Sequence, residues 1–249
     1  MDLVAAAKPS LLILDLDETL IYACDDAAKR RALEREGCEP DFWAEGYAVF
    51  KRPHCSFFLK RARRLFGRVA VWTSAGSGYA RLCACAVACL CVQSLNTDAI
   101  PPLPSQVIPH VFPTDEGFEL DFVWTAERVT RRYDPFLYTH YDVKDLRKVK
   151  RRGYALERVL IVDDTKRKAE RNYGNLVHVD PFEGDMGDTE LLLLGDYLES
   201  VAARANYRCF DKRDWRSQVS RGAMPDAWQV AESDQQGSTE GVDMEKVDA

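Results

Sequence analysis

Two aspartates, Asp15 and Asp17, follow directly after the apolar run Leu-Leu-Ile-Leu at 11–14. Such a run is typical of a buried strand, and open α/β sheets bind their ligands at the edge where these strands end. Because side chains alternate along an extended chain, the two carboxylates lie on the same side, where they repel each other unless a cation or a shared proton separates them. A hard cation such as Mg²⁺ suits this oxygen pair. One carboxylate could then attack an electrophile while the other transfers protons.

Reactive side chains follow two further apolar runs. Thr73 and Ser74 follow the second run, and Asp163 and Asp164 follow the third. Parallel strands end at a common edge, so we expect these groups to meet there, together with Lys144 from an intervening segment. Carboxylates hold a metal, while a hydroxyl and an ammonium offset the charge of a phosphoryl group during transfer. Taken singly, the lysine could be a solvated surface residue and the threonine an ordinary strand end, but several complementary groups on separate strands are typical of an active site.

The elements that would position these residues alternate along the chain. Helical periodicity and helix-forming residues predict helices at 25–36, 55–65, 79–93 and 188–203. Apolar runs predict strands at 11–15, 47–51, within 68–78, at 156–164 and at 175–180. Strands that alternate with helices predict an α/β fold with a doubly wound parallel sheet.

The predicted domain occupies residues 11–205, after an N-terminal extension at 1–10. The gap between Asp17 and Thr73 is too short for an independent cap domain, so we expect a minimal cap and an open site. A proline-rich insertion, at about 94–125, interrupts the domain. A C-terminal extension follows at 206–230. The last segment, 231–249, is rich in Ser, Gln, Gly and acidic residues and is predicted to be disordered.

Composition limits the function classes. The formal net charge of −6 is concentrated in residues 231–249, where six acidic residues face one lysine. No secretory signal is visible, and the longest apolar stretch, 82–92, is too short to cross a membrane. We therefore expect a soluble, intracellular protein, cytoplasmic or nuclear.

Four of the eight cysteines lie close together, at 83, 85, 89 and 91. This spacing favours cysteines that act as small core residues over cysteines that form a zinc or redox site.

Four short motifs in this order resemble those of the haloacid dehalogenase (HAD) superfamily. They are Asp-Leu-Asp-Glu-Thr-Leu at 15–20, Val-Trp-Thr-Ser at 71–74, Val-Lys-Asp-Leu at 143–146 and Ile-Val-Asp-Asp at 161–164. The chain is most similar to the branch of small phosphatases that act on the C-terminal tail (CTD) of RNA polymerase II, which includes the Dullard-like proteins. The stretches at 51–59 and 188–192 also fit that branch. The resemblance spans roughly residues 11–200 and implies a Rossmann-like HAD fold.

The resemblance implies a role for each of four catalytic residues. Asp15 would be the nucleophile that forms an aspartyl-phosphate. Asp17 would protonate the leaving group and then activate water, while its backbone carbonyl contacts the metal. Thr73 would hydrogen-bond the transferring phosphoryl group, and Lys144 would neutralise its oxygens and steady Asp15.

The same resemblance implies a metal set and a supporting set. Asp164 would complete the Mg²⁺ shell with Asp15 and Asp17. Asp163 would orient the catalytic lysine or a metal-bound water. Thr19 would brace the loop after the first motif, and Ser74 would be a supporting hydroxyl. This chain departs from the branch in having Asp163-Asp164 where Asp-Asn is common, and the proline-rich insertion has no counterpart that we can place.

The implied activity is that of a Mg²⁺-dependent phosphomonoesterase, a hydrolase acting on phosphorylated serine or threonine in a protein or peptide. One alternative is a small-molecule phosphatase with the insertion as a lid, and another is a non-catalytic binding module. Neither a membrane nor a nucleic acid is expected as a partner, and the oligomeric state is left open.

Basic residues form clusters at 60–64, 128–132, 148–152 and 166–168. These clusters could be solvated helix faces, or they could attract phosphorylated substrates.

Overall fold

The computed structural model describes residues 9–44, 46–75, 107–112 and 118–220. At its centre is a parallel sheet of five strands in the order β10-β9-β1-β5-β6. These strands are β1 (Leu11–Leu14), β5 (Arg68–Trp72), β6 (Val123–Trp124), β9 (Val159–Asp163) and β10 (Leu176–His178). The predicted α/β class with a parallel sheet is confirmed.

The central strands are apolar throughout because both faces of the sheet are covered. Leu12 and Leu14 of β1 pack into one buried cluster, whereas Leu11 and Ile13 pack into another on the opposite face. The first face is covered by two helices, α2 (Cys55–Leu65) and α5 (Glu190–Ala202). The second face carries a shorter helix, α4 (Arg147–Arg151), which contributes Val149.

The segment between Asp17 and Thr73 holds more structure than the sequence predicts. Alongside α2 it contains α1 (Ala27–Arg35) and a three-stranded antiparallel sheet in the order β2-β4-β3. The strands are β2 (Ile21–Cys24), β3 (Phe42–Ala44) and β4 (Tyr47–Lys51). β4 and α1 correspond to predicted elements, whereas β2 and β3 were not predicted. The result is a small sheet beside the site rather than a cap domain.

A separate hairpin precedes Lys144. Its strands, β7 (Thr130–Asp134) and β8 (Thr139–Val143), pair only with each other among the described strands. At its tip Phe136 and Tyr138 are largely exposed. The hairpin thus carries the chain to the edge of the main sheet, where β8 ends one residue before Lys144.

Two further helices complete the described chain, α3 (Val107–Val111) and α6 (Trp215–Ser220). Residues that follow α5 belong to the same core as the sheet: Tyr207 and Trp215 are fully buried, and the indole N–H of Trp215 donates to the carbonyl of His178 at 2.7 Å. None of the helices in the described ranges is long and apolar enough to span a bilayer. The predicted helix at 79–93 with its cysteines, the prolines at 101–104 and 113, and the acidic tail lie outside the described residues.

A buried arginine ties the loop after Asp17 to the rest of the fold. Arg52 directly follows β4 and is 1% exposed. Its guanidinium makes a bidentate ion pair with Asp188, at 3.0 and 2.7 Å, and donates to the carbonyl of Thr19 at 3.2 Å. The same Asp188 carboxylate accepts from the backbone N–H of Glu190 at the start of α5. One side chain therefore holds the small sheet, the Thr19 loop and α5 together.

We predict that Arg52→Met lowers the free energy of unfolding by about 3 to 5 kcal/mol, because it leaves the Asp188 carboxylate partly buried without its cation. Urea denaturation measures this loss. Lys51→Met is the matched control, since its ion pair with Asp41 is partly exposed at 3.1 Å and should contribute at most about 1 kcal/mol. Equal losses in the two variants would contradict the proposed role of Arg52.

Candidate active site

The strand register places the ends of three strands side by side. Leu14 pairs with Val71 of β5 and with Val162 of β9, so Asp15 is level with Asp163 at the carboxyl edge of the sheet. The backbone N–H of Asp15 donates to the carbonyl of Val162 at 2.9 Å. Thr73 follows β5 directly, and its backbone N–H donates to the carbonyl of Trp124 at 2.9 Å. Residues that are far apart in the sequence therefore meet at one edge.

A fully buried ion-pair network lies at the centre of this edge. The Lys144 ammonium is 2.8 Å from Asp15 Oδ1 and 2.6 Å from Asp163 Oδ2. All three side chains are at most 1% exposed. Buried carboxylates need such a partner, because an unpaired charge in a low-dielectric interior is strongly unfavourable. Lys144 thus bridges the ends of β1 and β9.

A second lysine, Lys168, reaches the same carboxylates from the opposite side. It belongs to a short 3-10 turn, Lys166–Ala169. Its ammonium is 2.9 Å from Asp15 Oδ2 and 3.5 Å from Asp164 Oδ1. The turn also fixes Lys144, whose backbone N–H donates to the carbonyl of Lys168 at 2.7 Å.

Sequence reasoning placed Lys168 in a basic run and gave it no role at the site. One signal could have identified it. The residue lies four positions after Asp164, a spacing at which lysine and aspartate pair on a helical turn. The other clusters include residues engaged elsewhere: Arg61, for example, pairs with Asp196 and Glu199 on α5.

The ionisation states follow from this geometry. Burial alone would raise the pKa of Asp15, but the charges of Lys144 and Lys168 outweigh it and hold that pKa below its ordinary value. Burial would lower the pKa of Lys168, yet Asp15, Asp163 and Asp164 together raise it. Burial and the neighbouring Asp15 charge raise the pKa of Asp163 to about 6. Asp15 is therefore a deprotonated carboxylate at neutral pH.

Three carboxylates could hold a metal ion. Asp15, Asp163 and Asp164 each offer an oxygen, and these oxygens lie within 4.8 Å of one another. A set made only of carboxylate oxygens suits a hard cation such as Mg²⁺. Asp15 and Asp164 belong to the predicted ligand set, and Asp163 joins them. Asp17 is predicted to contact the metal through its backbone carbonyl, and this contact stays a prediction.

The hydroxyl of Thr73 links the edge to Asp17. It donates to Asp17 Oδ2 at 3.0 Å and accepts from the backbone N–H of Ala75 at 3.0 Å. The threonine is fully buried, which fixes the orientation of the Asp17 carboxylate. The hydroxyl oxygens of Thr19 and Ser74 have no hydrogen-bond partner within the described ranges. The backbone carbonyl of Thr19 accepts a hydrogen bond from Arg52 at 3.2 Å, and the bracing role of Thr19 in the loop stays a prediction.

A cleft of about 400 Å³ opens beside these groups. In this cleft, the charged side chains of the candidate site lie next to apolar surface that the small antiparallel sheet provides. The residues lining it are Asp17, Ala23, Tyr47, Ser74, Ala75 and Lys168. A substrate that enters here would have its reacting group near Asp17 and Lys168 and its remainder against Ala23 and Tyr47.

Residues 10–89 and 115–208 match the family described as NLI interacting factor-like phosphatase. The chain belongs to this family. The resemblance drawn from the four motifs is thereby confirmed.

Relatives of this phosphatase include 355R, a CTD phosphatase-like protein of Invertebrate iridescent virus 3. The two are 28% identical over 203 residues, which cover 78% of this chain and 97% of the viral protein. Among solved structures, the chain is similar to the fission yeast RNA polymerase II CTD phosphatase Fcp1-R271A bound to beryllium fluoride, with 18% identity and a TM-score of 0.43. That match covers 85% of this chain, which spans about half (49%) of the Fcp1 chain.

We predict that Lys144→Met lowers the free energy of unfolding by about 3 to 5 kcal/mol, because it leaves Asp15 and Asp163 buried without their shared cation. Urea denaturation in the presence of a metal chelator measures the effect without interference from bound ions. Lys150→Met, at an exposed position on α4, should change stability by at most about 0.5 kcal/mol. If the Lys144 variant were as stable as this control, the buried network would not have the assigned role.

Proposed function

We propose that this phosphatase is a Mg²⁺-dependent phosphomonoesterase that works through a phosphorylated Asp15 and acts on phosphoserine or phosphothreonine in proteins. One observation carries the proposal: Asp15 is buried, deprotonated and held between two ammonium groups at the edge where three strands end. A carboxylate in that setting is a preorganised nucleophile, and the surrounding positive charge suits the oxygens of a phosphate.

In the first step, an oxygen of Asp15 attacks phosphorus and the bond between phosphorus and the leaving oxygen breaks. Asp17 donates a proton to that oxygen, which leaves as the serine or threonine hydroxyl. The hydrogen bond from Thr73 orients Asp17 for this transfer. In the second step, Asp17 removes a proton from water, the water oxygen attacks phosphorus, and Asp15 is released with inorganic phosphate.

The other charged groups hold the nucleophile in place and balance the charge. Lys144 fixes Oδ1 of Asp15 and neutralises the oxygens of the transferring group, while Asp163 orients Lys144 through their 2.6 Å ion pair. Asp15 and Asp164, with Asp163 beside them, would hold the metal. Bound Mg²⁺ supplies positive charge that offsets the negative charge on the phosphoryl oxygens.

A protein substrate is favoured by what borders the cleft. The segment between Asp17 and Thr73 forms a three-stranded sheet and two helices instead of a closing domain, and Ala23 and Tyr47 of that sheet line the cleft. An extended peptide needs an entrance that this segment does not close, and some apolar surface for the residues that flank its phosphate. A small phosphorylated metabolite needs enclosure instead.

We predict that Asp15→Asn abolishes turnover of a phosphoserine peptide, because an amide is not a nucleophile. Asp17→Asn should slow both steps and allow phosphate to accumulate on Asp15. Mass spectrometry of a rapidly quenched reaction would then find the phosphate on the peptide that contains Asp15. Asp25→Asn, at an exposed position outside the site, should retain full activity. Turnover by Asp15→Asn at the wild-type rate would refute the assignment of Asp15 as the nucleophile.

We predict that activity on a phosphoserine or phosphothreonine peptide disappears on removal of divalent ions and returns with Mg²⁺. A panel of phosphopeptides, sugar phosphates and nucleotides compared by kcat/KM decides the substrate class. Preference for the peptides supports the proposal. Turnover restricted to sugar phosphates or nucleotides would refute the protein substrate and support a small-molecule phosphatase.

A further inference from the structure

We propose that the Lys168 ammonium is a built-in counter-ion of the metal-binding carboxylates, and that it must leave them before a divalent cation can bind. The inference rests on the proposed metal site and concerns a residue to which neither the four motifs nor the family resemblance gives a role. It predicts that this chain binds its metal more weakly than its carboxylates alone would allow.

Most oxygens of the three carboxylates already contact other groups in the described structure. Lys144 engages Oδ1 of Asp15 and Oδ2 of Asp163. Thr165 engages Oδ1 of Asp163 through its backbone N–H, at 2.9 Å, and Oδ2 of Asp164 through its hydroxyl, at 2.8 Å. The remaining oxygens are Oδ2 of Asp15 and Oδ1 of Asp164. Lys168 makes its shortest contacts with these two oxygens, at 2.9 and 3.5 Å.

The Lys168 nitrogen lies close to the oxygens that a metal ion would use. Mg²⁺ lies about 2.0 to 2.1 Å from its oxygen ligands and demands octahedral geometry. The Lys168 nitrogen lies within 3.7 Å of all three carboxylates that form the cluster. A cation held by Asp15 and Asp164 would have to compete with this nitrogen for the same two oxygens.

The two lysines differ in burial and therefore in mobility. The side chain of Lys144 is 0% exposed, whereas that of Lys168 is 20% exposed and lines the cleft. The ammonium of Lys144 is thus enclosed by its protein partners. Lys168 can turn into the cleft and keep its charge solvated, as long flexible lysine side chains commonly do.

The charges also favour an exchange over simple addition. Asp15, Asp163 and Asp164 carry three negative charges, and the two lysines supply two positive charges in contact with them. A divalent cation added to this set would turn a net negative cluster positive. If Lys168 departs as the metal arrives, the cluster ends neutral, which is the favourable state for buried charges.

The test is the affinity of the full-length protein for Mn²⁺, an octahedral oxygen-seeking probe, measured by isothermal titration calorimetry and by electron paramagnetic resonance of free Mn²⁺. Lys168→Met should bind Mn²⁺ about tenfold more tightly than wild type or better, because a positive charge at contact distance is removed. Lys166→Met removes the same charge from an exposed position in the same 3-10 turn and should stay within about twofold of wild type. Equal affinities for Lys168→Met and wild type would overturn the proposal.

A charge-conserving variant separates competition from a change in packing. Lys168→Arg keeps a cation beside Asp15, so its Mn²⁺ affinity should remain close to that of wild type or fall below it. A rise equal to that of Lys168→Met would overturn the proposal. If Lys168→Met does not fold without metal, the Arg and wild-type proteins are compared with Lys168→Gln, which should again bind about tenfold more tightly.

Failure of this inference is distinguishable from failure of the metal site. Asp164→Ala removes the oxygen of a proposed ligand and should abolish Mn²⁺ binding. Loss of binding in Asp164→Ala together with unchanged affinity in Lys168→Met would leave the metal site intact and refute the role of Lys168. If neither the wild-type protein nor Lys168→Met bound Mn²⁺, the proposed metal site and the proposed role of Lys168 would both be refuted.

Discussion

The site depends on one electrostatic constraint: three carboxylates lie within hydrogen-bonding reach of two ammonium groups in a largely buried pocket. Without the cations, Asp15, Asp163 and Asp164 could not all be charged, and a proton would neutralise Asp15. The buried position of Lys144 therefore sets the ionisation of Asp15. In the proposed mechanism a divalent ion and then a phosphate enter this pocket, and each new charge compensates the previous one.

The rest of the fold serves to deliver these charges. The parallel register brings Asp15 and Asp163 level, and the β7–β8 hairpin carries Lys144 to them across the sheet edge. The 3-10 turn after β9 places Lys168 and also bonds to the backbone of Lys144. Elements that look peripheral in the topology thus determine the charge at the centre.

Much of this architecture is predictable from the sequence because the signals are local. An apolar run that ends in Asp15 or Asp163 predicts both a buried strand and a polar edge, and the order of motifs predicts the family. Strands β2 and β3 escaped prediction because they are short and depend on pairing with β4, a contact that no local pattern records. Lys168 escaped because a lysine in a basic run is usually solvated, and its true partner, Asp15, lies 153 positions earlier in the chain.

The most direct test of the account is a crystal structure of the wild-type protein with Mg²⁺ and beryllium fluoride, a mimic of a phosphoryl group on a carboxylate. The account predicts a tetrahedral beryllium fluoride attached to an oxygen of Asp15, Mg²⁺ in contact with Asp15 and Asp164, and the Lys168 nitrogen turned away from both carboxylates. Beryllium fluoride bound elsewhere, with Asp15 unmodified and still paired with Lys168, would contradict it.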